Sequence, residues 1–310
     1  MQSITPDSSH QPVRARRCQL SVPGSSAAML TKAAALSIDG VILDLEDAVA
    51  PEAKNSARNQ IIESLQTQSW QARCVSVRIN DVTTSWCHDD IIELVTRAGN
   101  DIDTLVLAKT QKAADVLFVH TLLDQLEQKL GLTKRIGIEA LIEDVQGMTH
   151  VDAIAACSNR LEALVLGMGD YAASQSMQIE TIGGIGDYPG DIWHYPRFKL
   201  IVAARANELD PIDGPYANFK DQAGLIADSK RAAALGMAGK WAIHPSQQES
   251  LEAVFSPNPE ALDKARKQHA AYQEALAAGI GAVSIDGVML DAASIRMIEK
   301  TLERARLMGM

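Results

Sequence analysis

Aromatic residues are scarce in this chain, 4% of 310, and cysteine is scarcer still, with four. Cys18, Cys74, Cys87 and Cys157 lie far apart and form no C-x-x-C pair. That excludes a disulfide framework and a cysteine-built zinc site, and it implies reduced thiols in a cytoplasmic protein. No apolar run approaches the ~18 residues that span a bilayer, so no membrane partner is expected. Residues 1–15, rich in Ser, Gln and Pro and without an apolar segment, read as a disordered tail and not as a signal peptide. Positive charge is also short: 29 Lys and Arg stand against 39 Asp and Glu, a net charge of −10. With no basic stripe to offset it, nucleic acid is not an expected partner. The G-x-S-x-G and H-E-x-x-H patterns are both missing, so serine-hydrolase and zincin chemistry has no motif to rest on.

What the chain has is aliphatic residues in a regular rhythm. Short β-branched runs at Cys18–Val22, Val41–Leu45, Cys74–Ile79, Thr104–Ala108, Ile136–Ile142, Ala163–Leu166, Asp210–Ile212 and Lys240–Ile243 alternate with helical patterns. Strands apolar on both faces and joined by helices imply a parallel sheet. Eight of them over residues 16–245 fit an α/β protein of the (β/α)8 TIM-barrel type, with a doubly wound sheet as the alternative. Residues 246–310 continue as a C-terminal helical extension, with helices expected at Ser246–Val254, Pro259–Ala278 and Ala292–Leu307. The stretch Gln178–Trp193, with Gly183, Gly184, Gly186, Pro189 and Gly190, is longer than an ordinary connection and reads as a functional loop.

In such a barrel the chemistry gathers at the C-terminal ends of the strands. Glu46-Asp47 follow the second run, Arg78 falls within the third, and Lys109 follows the fourth. Glu143-Asp144, Asp170, Asp213 and His244 follow the fifth to eighth, so seven of eight ends carry an ionisable group. Oxygen ligands without paired Cys or His suit Mg²⁺, which takes one or two protein carboxylates and leaves room for substrate oxygens. Two decoys are set aside. Gly167-Met168-Gly169-Asp170-Tyr171-Ala172 has the form of a dinucleotide fingerprint, but Asp170 occupies the place of the pyrophosphate. His88-Asp89-Asp90 looks metal-like, yet Asp89 stands just before an apolar-periodic segment and reads as a helix N-cap.

As a set, several segments resemble the citrate lyase β-subunit/malyl-CoA lyase family. They are Arg17-Cys18-Gln19-Leu20-Ser21-Val22-Pro23-Gly24, Asp44-Leu45-Glu46-Asp47-Ala48-Val49, Val77-Arg78-Ile79-Asn80 and Ile142-Glu143. Gly167-Met168-Gly169-Asp170, Pro211-Ile212-Asp213-Gly214-Pro215 and Gly239-Lys240-Trp241-Ala242-Ile243-His244-Pro245 complete the set. Trp193-His194-Tyr195, Ala203-Ala204-Arg205-Ala206 and Ile243–Gln247 are closer to malyl-CoA and citramalyl-CoA lyases.

The resemblance implies a barrel that binds Mg²⁺, with Mn²⁺ as a substitute, and a coenzyme A thioester. It implies reversible Claisen-type cleavage to acetyl-CoA and a 2-oxo acid. Glu139 and Glu143 compete for the metal; Glu143 ends its run, stands 27 positions before Asp170 and takes the role with it. Arg78 matches the family's arginine. Asp291, in Asp286-Gly287-Val288-Met289-Leu290-Asp291, matches an acid/base aspartate that reaches an adjacent subunit of a homotrimer or dimer of trimers. Glu46 and Asp47 are expected to position Arg78 or metal-bound water, and Arg17 and Lys32 to meet the coenzyme A phosphates. The resemblance departs at Ala108, where the family carries proline before the lysine. Two other enzymes remain open: a citrate lyase β-subunit acting on an acyl-carrier-protein thioester, and a metal-dependent 2-keto acid aldolase that needs no coenzyme A.

Overall fold

The computed structural model describes residues 12–310 except 185, 187 and 286. Eight strands follow one another: β1 Cys18–Pro23, β2 Gly40–Asp44, β3 Cys74–Ile79, β4 Thr104–Leu107, β5 Gly137–Ile142, β6 Leu161–Leu166, β7 Asp210–Asp213 and β8 Gly239–Ala242. Each pairs in parallel with its sequence neighbour, and β8 pairs with β1, so the sheet closes into a barrel. The expected (β/α)8 fold is the observed one. Every residue of β2–β6 and of β8 is buried. Unbroken apolar runs require this, because one face lines the barrel and the other meets helices.

The connecting helices are α1 Ala27–Ala34, α2 Lys54–Thr67, α3 Cys87–Ala98, α4 Ala113–Leu130, α5 Val145–Thr149, α6 Val151–Ala155, α7 Met168–Ser174, α8 His194–Ala206 and α9 Gln222–Leu235. Their ends follow local chemistry. Ser26 and Asp221 cap α1 and α9, and Gly131 and Gly236 adopt positive φ just past α4 and α9. Asp89 is not an N-cap, as the sequence reading expected: α3 begins two residues earlier, where buried Cys87 joins the apolar face, and Asp89 sits in the first turn beside His88.

Inside the barrel Ile42, Val106, Leu141, Ala163, Val165, Ile212 and Trp241 form an apolar layer. On its N-terminal side Glu139, fully buried, accepts from Arg16 Nε at 3.2 Å, Gln19 Nε2 at 3.0 Å and Thr104 Oγ1 at 3.3 Å. The barrel is therefore closed below, and its open chemistry lies at the C-terminal strand ends. Of the expected tail, residues 1–11 lie outside the described residues, and Arg14 is tied to Glu162 at 2.8 Å and Asp103 at 3.2 Å.

Two compact units divide the chain, one running to Glu252 and one from Ala253 to Met310. Their boundary falls within α10, Gln248–Phe255. The second unit holds α11 Pro259–Ala277, α12 Ala292–Leu307 and an antiparallel hairpin of β9 Val283–Ile285 and β10 Val288–Leu290. Tyr272, Leu290 and Ile295 form its small core. The hairpin and α7 are elements the periodicity did not mark, both being too short for a pattern to establish itself. No described helix is long and apolar enough to cross a membrane.

Candidate active site

Parallel register brings the ends of β2 and β3 side by side, with Asp44 opposite Arg78. Arg78 donates through Nε and Nη2 to the two oxygens of Asp44, at 2.7 and 2.5 Å. This is the planar fork-to-carboxylate pairing that fixes a guanidinium in orientation as well as position. Its third nitrogen, Nη1, lies 3.2 Å from Glu46 Oε2 and 3.6 Å from Asp47 Oδ2. The guanidinium carbon stands 5.7 Å from the centre of the Trp241 ring, so the apolar layer forms the floor beneath it.

Lys109 closes the group from β4. Its Nζ pairs with Glu46 Oε1 and lies 3.2 Å from Asp47 Oδ1, and burial notwithstanding, these carboxylates keep its pKa above the usual lysine range. Its backbone has φ of 49°, left-handed and costly for a residue with a side chain. That turn presents the Lys109 N–H to Glu143 Oε1 at 2.6 Å. It also settles the departure at Ala108: the turn forms without proline.

Glu143 is 3% exposed. Burial drives its pKa well above the carboxylate range. Arg78 and the Lys109 N–H pull it back, while Asp170 and Glu46 push it further up. Gly167 belongs to the same spot, because a Cβ there would stand 2.3 Å from Glu143 Cβ and 2.6 Å from its Oε2. Only glycine lets Glu143 lie against the start of α7, which carries Asp170 in its first turn.

The charges show what this cluster lacks. Asp44, Glu46 and Asp47 are balanced by Arg78, Lys109 and the buried Lys54, which stands beside Glu46. Glu143 and Asp170 remain, two neighbouring carboxylates that form no ion pair among the described residues, although Arg78 is near enough to act on Glu143. A divalent ion would compensate them. Among the described residues no three His, Cys, Asp or Glu side chains gather as a closed metal cage. Two carboxylates with open positions fit Mg²⁺ better than a structural metal.

The structure does not bring every expected residue here. Arg17 precedes β1, at the opposite end of the barrel, and donates to Asp39 through N, Nε and Nη2 at 3.0, 2.7 and 2.8 Å. Lys32 is exposed in the last turn of α1, which runs back to that same end, where Ala34 O accepts from Gln71 N. Neither meets a ligand at the strand ends that carry Arg78. Asp213 faces outward to Arg197 and Lys240, and His244 stacks on Phe219. Asp144 caps α5. Asp291, in the second unit, caps α12 by accepting from Ala293 N and from Ser294 N and Oγ. Those Ser294 bonds hold its pKa below the usual carboxylate range. The described part of the 178–193 loop is pinned: Trp193 Nε1 donates to Gly184 O at 2.9 Å, and Ala217 N to Ile182 O at 3.1 Å.

Sequence reasoning missed Asp44 as the partner of Arg78. The signal was present, since Asp44 is an acidic residue inside the apolar run Val41–Leu45, and a buried carboxylate needs a partner.

A closed parallel barrel with a clamped arginine and a carboxylate pair at its strand ends has the layout of a barrel enzyme, its chemistry gathered where the strands end. The chain belongs to the HpcH/HpaI aldolase/citrate lyase family, whose model matches residues 17–245. It is 40% identical to the L-malyl-CoA/beta-methylmalyl-CoA lyase of Cereibacter sphaeroides, over 96% of this chain and 97% of that one. Identity with the malyl-CoA/beta-methylmalyl-CoA/citramalyl-CoA lyase of Chloroflexus aurantiacus is 32%, over 89% and 83%. Among solved structures, protein CitE from Mycobacterium tuberculosis, in complex with magnesium, acetoacetate and coenzyme A, matches with a TM-score of 0.74. The two chains are 27% identical, over 93% of this chain and 97% of that one.

Proposed function

We propose that this lyase cleaves a 3-hydroxyacyl-CoA of the malyl or citramalyl type, reversibly, to acetyl-CoA and a 2-oxo acid. The carrying observation is Arg78, held rigidly by Asp44 and Glu46 beside Glu143 and Asp170, two carboxylates in no ion pair among the described residues. Likeness to malyl-CoA lyases over nearly the whole chain supports the same reading.

Cleavage needs three things of the protein. The 3-hydroxyl must lose its proton as C2–C3 breaks, the bonding pair must pass into a thioester enolate, and C2 must gain a proton. Glu143 and Asp170 would hold Mg²⁺, or Mn²⁺, which on binding lowers the pKa of a coordinated hydroxyl and fixes its orientation. Arg78 keeps N–H donors beyond those Asp44 and Glu46 occupy, and these meet the negative charge that builds on the enolate oxygen. The guanidinium needs no reorganisation to do so, since Asp44 has already set its plane. Asp291, a carboxylate held ionised by its cap bonds, would take the 3-hydroxyl proton in cleavage and deliver it to C2 of the enolate. It would make the reverse transfer in condensation, acting on the site of an adjacent copy in a trimer. Four unpaired thiols suit a cytosolic enzyme.

The test is a substrate panel of malyl-CoA, β-methylmalyl-CoA, citramalyl-CoA and citryl-CoA with Mg²⁺, following 2-oxo acid and thioester products together. Cleavage of one of the first three, abolished by EDTA and restored by Mg²⁺ or Mn²⁺, is the expected result. Turnover only of an acyl-carrier-protein thioester would make the chain a citrate lyase β-subunit. Activity on free 2-keto acids alone would make it an aldolase.

A further inference from the structure

We infer that Lys54 is a positioning residue for this site, one that sets Glu46 through the backbone at the end of β2 and, through Glu46, sets Arg78 and Lys109. The inference rests on the reading of those three residues as the reacting cluster. Lys54 touches none of the atoms a substrate would meet. It opens α2, is 6% exposed, and donates from Nζ to the carbonyls of Leu45 at 2.8 Å and Glu46 at 2.6 Å. The ammonium also stands 5.5 Å from the centre of the Trp86 ring.

A lysine is poorly placed there for the helix itself. The first turn of a helix carries the positive end of the dipole, and burial strips an ammonium of its water. Burial does pull the Lys54 pKa down, with Glu46, Asp44, Asp90 and Asp47 pulling the other way. The cation is retained at a costly position while its hydrogen bonds go to main-chain carbonyls. That arrangement is a clamp on the path of the backbone. Leu45 marks where the chain leaves the sheet: its N–H donates to Arg78 O at 2.9 Å, and the next residue turns to donate its own N–H to Asp44 Oδ1 at 2.8 Å. Lys54 grips the carbonyls on both sides of this turn, and the Glu46 side chain leaves from it toward Arg78 and Lys109.

One helical turn further, Arg58 does the same for the neighbouring strand. It donates to Asp90 at 2.8 Å, and Asp90 accepts from Asn80 N at 3.1 Å and Asn80 Nδ2 at 2.7 Å, just past the end of β3. One face of α2 thus holds both strand ends whose side chains, Glu46 and Arg78, meet at 3.2 Å.

Lys54→Met keeps the stem against Trp86 and removes the charge and both donors. We expect kcat for the thioester the wild type cleaves to fall about 10- to 100-fold, the scale of a misplaced reacting group, with KM changed no more than about threefold. Combined with Glu46→Gln it should cost nothing further, since a residue that acts through Glu46 has no effect once Glu46 is disabled. Amide exchange of the segment 44–49 should quicken while that of β5 and β6 stays as in the wild type. The exchange readout needs no turnover. A wild type inactive on every thioester would therefore sink the proposed reaction while exchange still decides the role of Lys54. A kcat within about twofold of wild type, losses that multiply in the double variant, or unaltered exchange at 44–49 would overturn the inference. Should Lys54→Met not fold, Lys54→Gln, which keeps a donor, takes its place; failure of both to fold would make Lys54 a residue of the core and would equally overturn it.

Discussion

Arg78 carries the argument at the scale of single residues, because its partners leave it one orientation. Asp44 takes two of its nitrogens and Glu46 the third, within a site where Arg78 is 7% exposed. Arg78→Lys would keep the charge and lose the planar fork, so kcat should fall by at least ~100-fold, the range seen when an oxyanion donor is lost. Steady-state kinetics within a few-fold of wild type would remove Arg78 from contact with the reacting atoms. Glu143 makes the opposite point, that a functional group is not a stabilising one. Its carboxylate is buried beside Asp170 and forms no ion pair among the described residues, and burial outweighs the pull of Arg78. In metal-free buffer at pH 8, Glu143→Gln should therefore unfold at a higher urea midpoint than wild type. Added Mg²⁺ should raise the wild-type midpoint and leave that of the variant where it was. A variant less stable than metal-free wild type would show that Glu143 is paired in some other way.

Between elements, a buried charged cluster ties α8, β7, α9 and β8 together on the outer face of the barrel. Arg197 of α8 donates to Asp213 of β7 at 2.9 Å and to Asp228 of α9 at 2.7 Å, and Lys240 of β8 reaches Asp228 at 2.8 Å. All four side chains are 0% exposed. Such a cluster is weak evidence for net stability, but breaking it strands a charge in a dry environment. Burial pushes the Asp228 pKa up, and Lys240 and Arg197 more than reverse it, leaving it below the usual value. A depressed carboxylate contributes stability that is fully present above its unfolded pKa of about 3.9 and is lost as pH falls through the lower folded value. Asp228→Asn should thus cost about 3–5 kcal/mol at pH 7. The gap to wild type should begin to narrow as pH falls below about 4, where unfolded wild type takes up a proton that the folded chain still refuses. It should level off below the lower folded value, where both chains carry a neutral group. Urea titrations at a series of pH values read this directly, and a constant gap across them would contradict it.

For the molecule as a whole, the open matter is assembly. Asp291 belongs to the second unit and has a local duty there as the cap of α12. If it also serves the barrel of another copy, two inactive proteins should repair each other. Asp291→Ala subunits keep Glu143 and Asp170, and Asp170→Ala subunits keep Asp291. Co-expressed in equal amounts and assembled at random into closed rings, they should make about a quarter of the sites whole. Activity in the mixture no higher than in either parent would confine Asp291 to its own chain or to its capping role.

The strand positions, the closed barrel and the ring of strand-end charges were legible because each depends on neighbours in sequence. Alternation of apolar runs with helical periods follows from local geometry, and parallel pairing of eight such units leaves little choice of architecture. The segments that marked the family are local in the same sense. Partnership is not. Asp213 and Arg78 both lie at strand ends, and one residue of pleat decides that Asp213 points out to Arg197 while Arg78 points in to Asp44. Arg17 read as a free cation until β2 placed Asp39 beside it. Nothing in the sequence marked Lys54, which the fold buries against Trp86. Residue types and their order along the chain determined which chemistry was available; which charges cancel, and which are left for a ligand, was decided only where distant segments meet, because Coulomb energies and desolvation depend on distance in space and not along the chain.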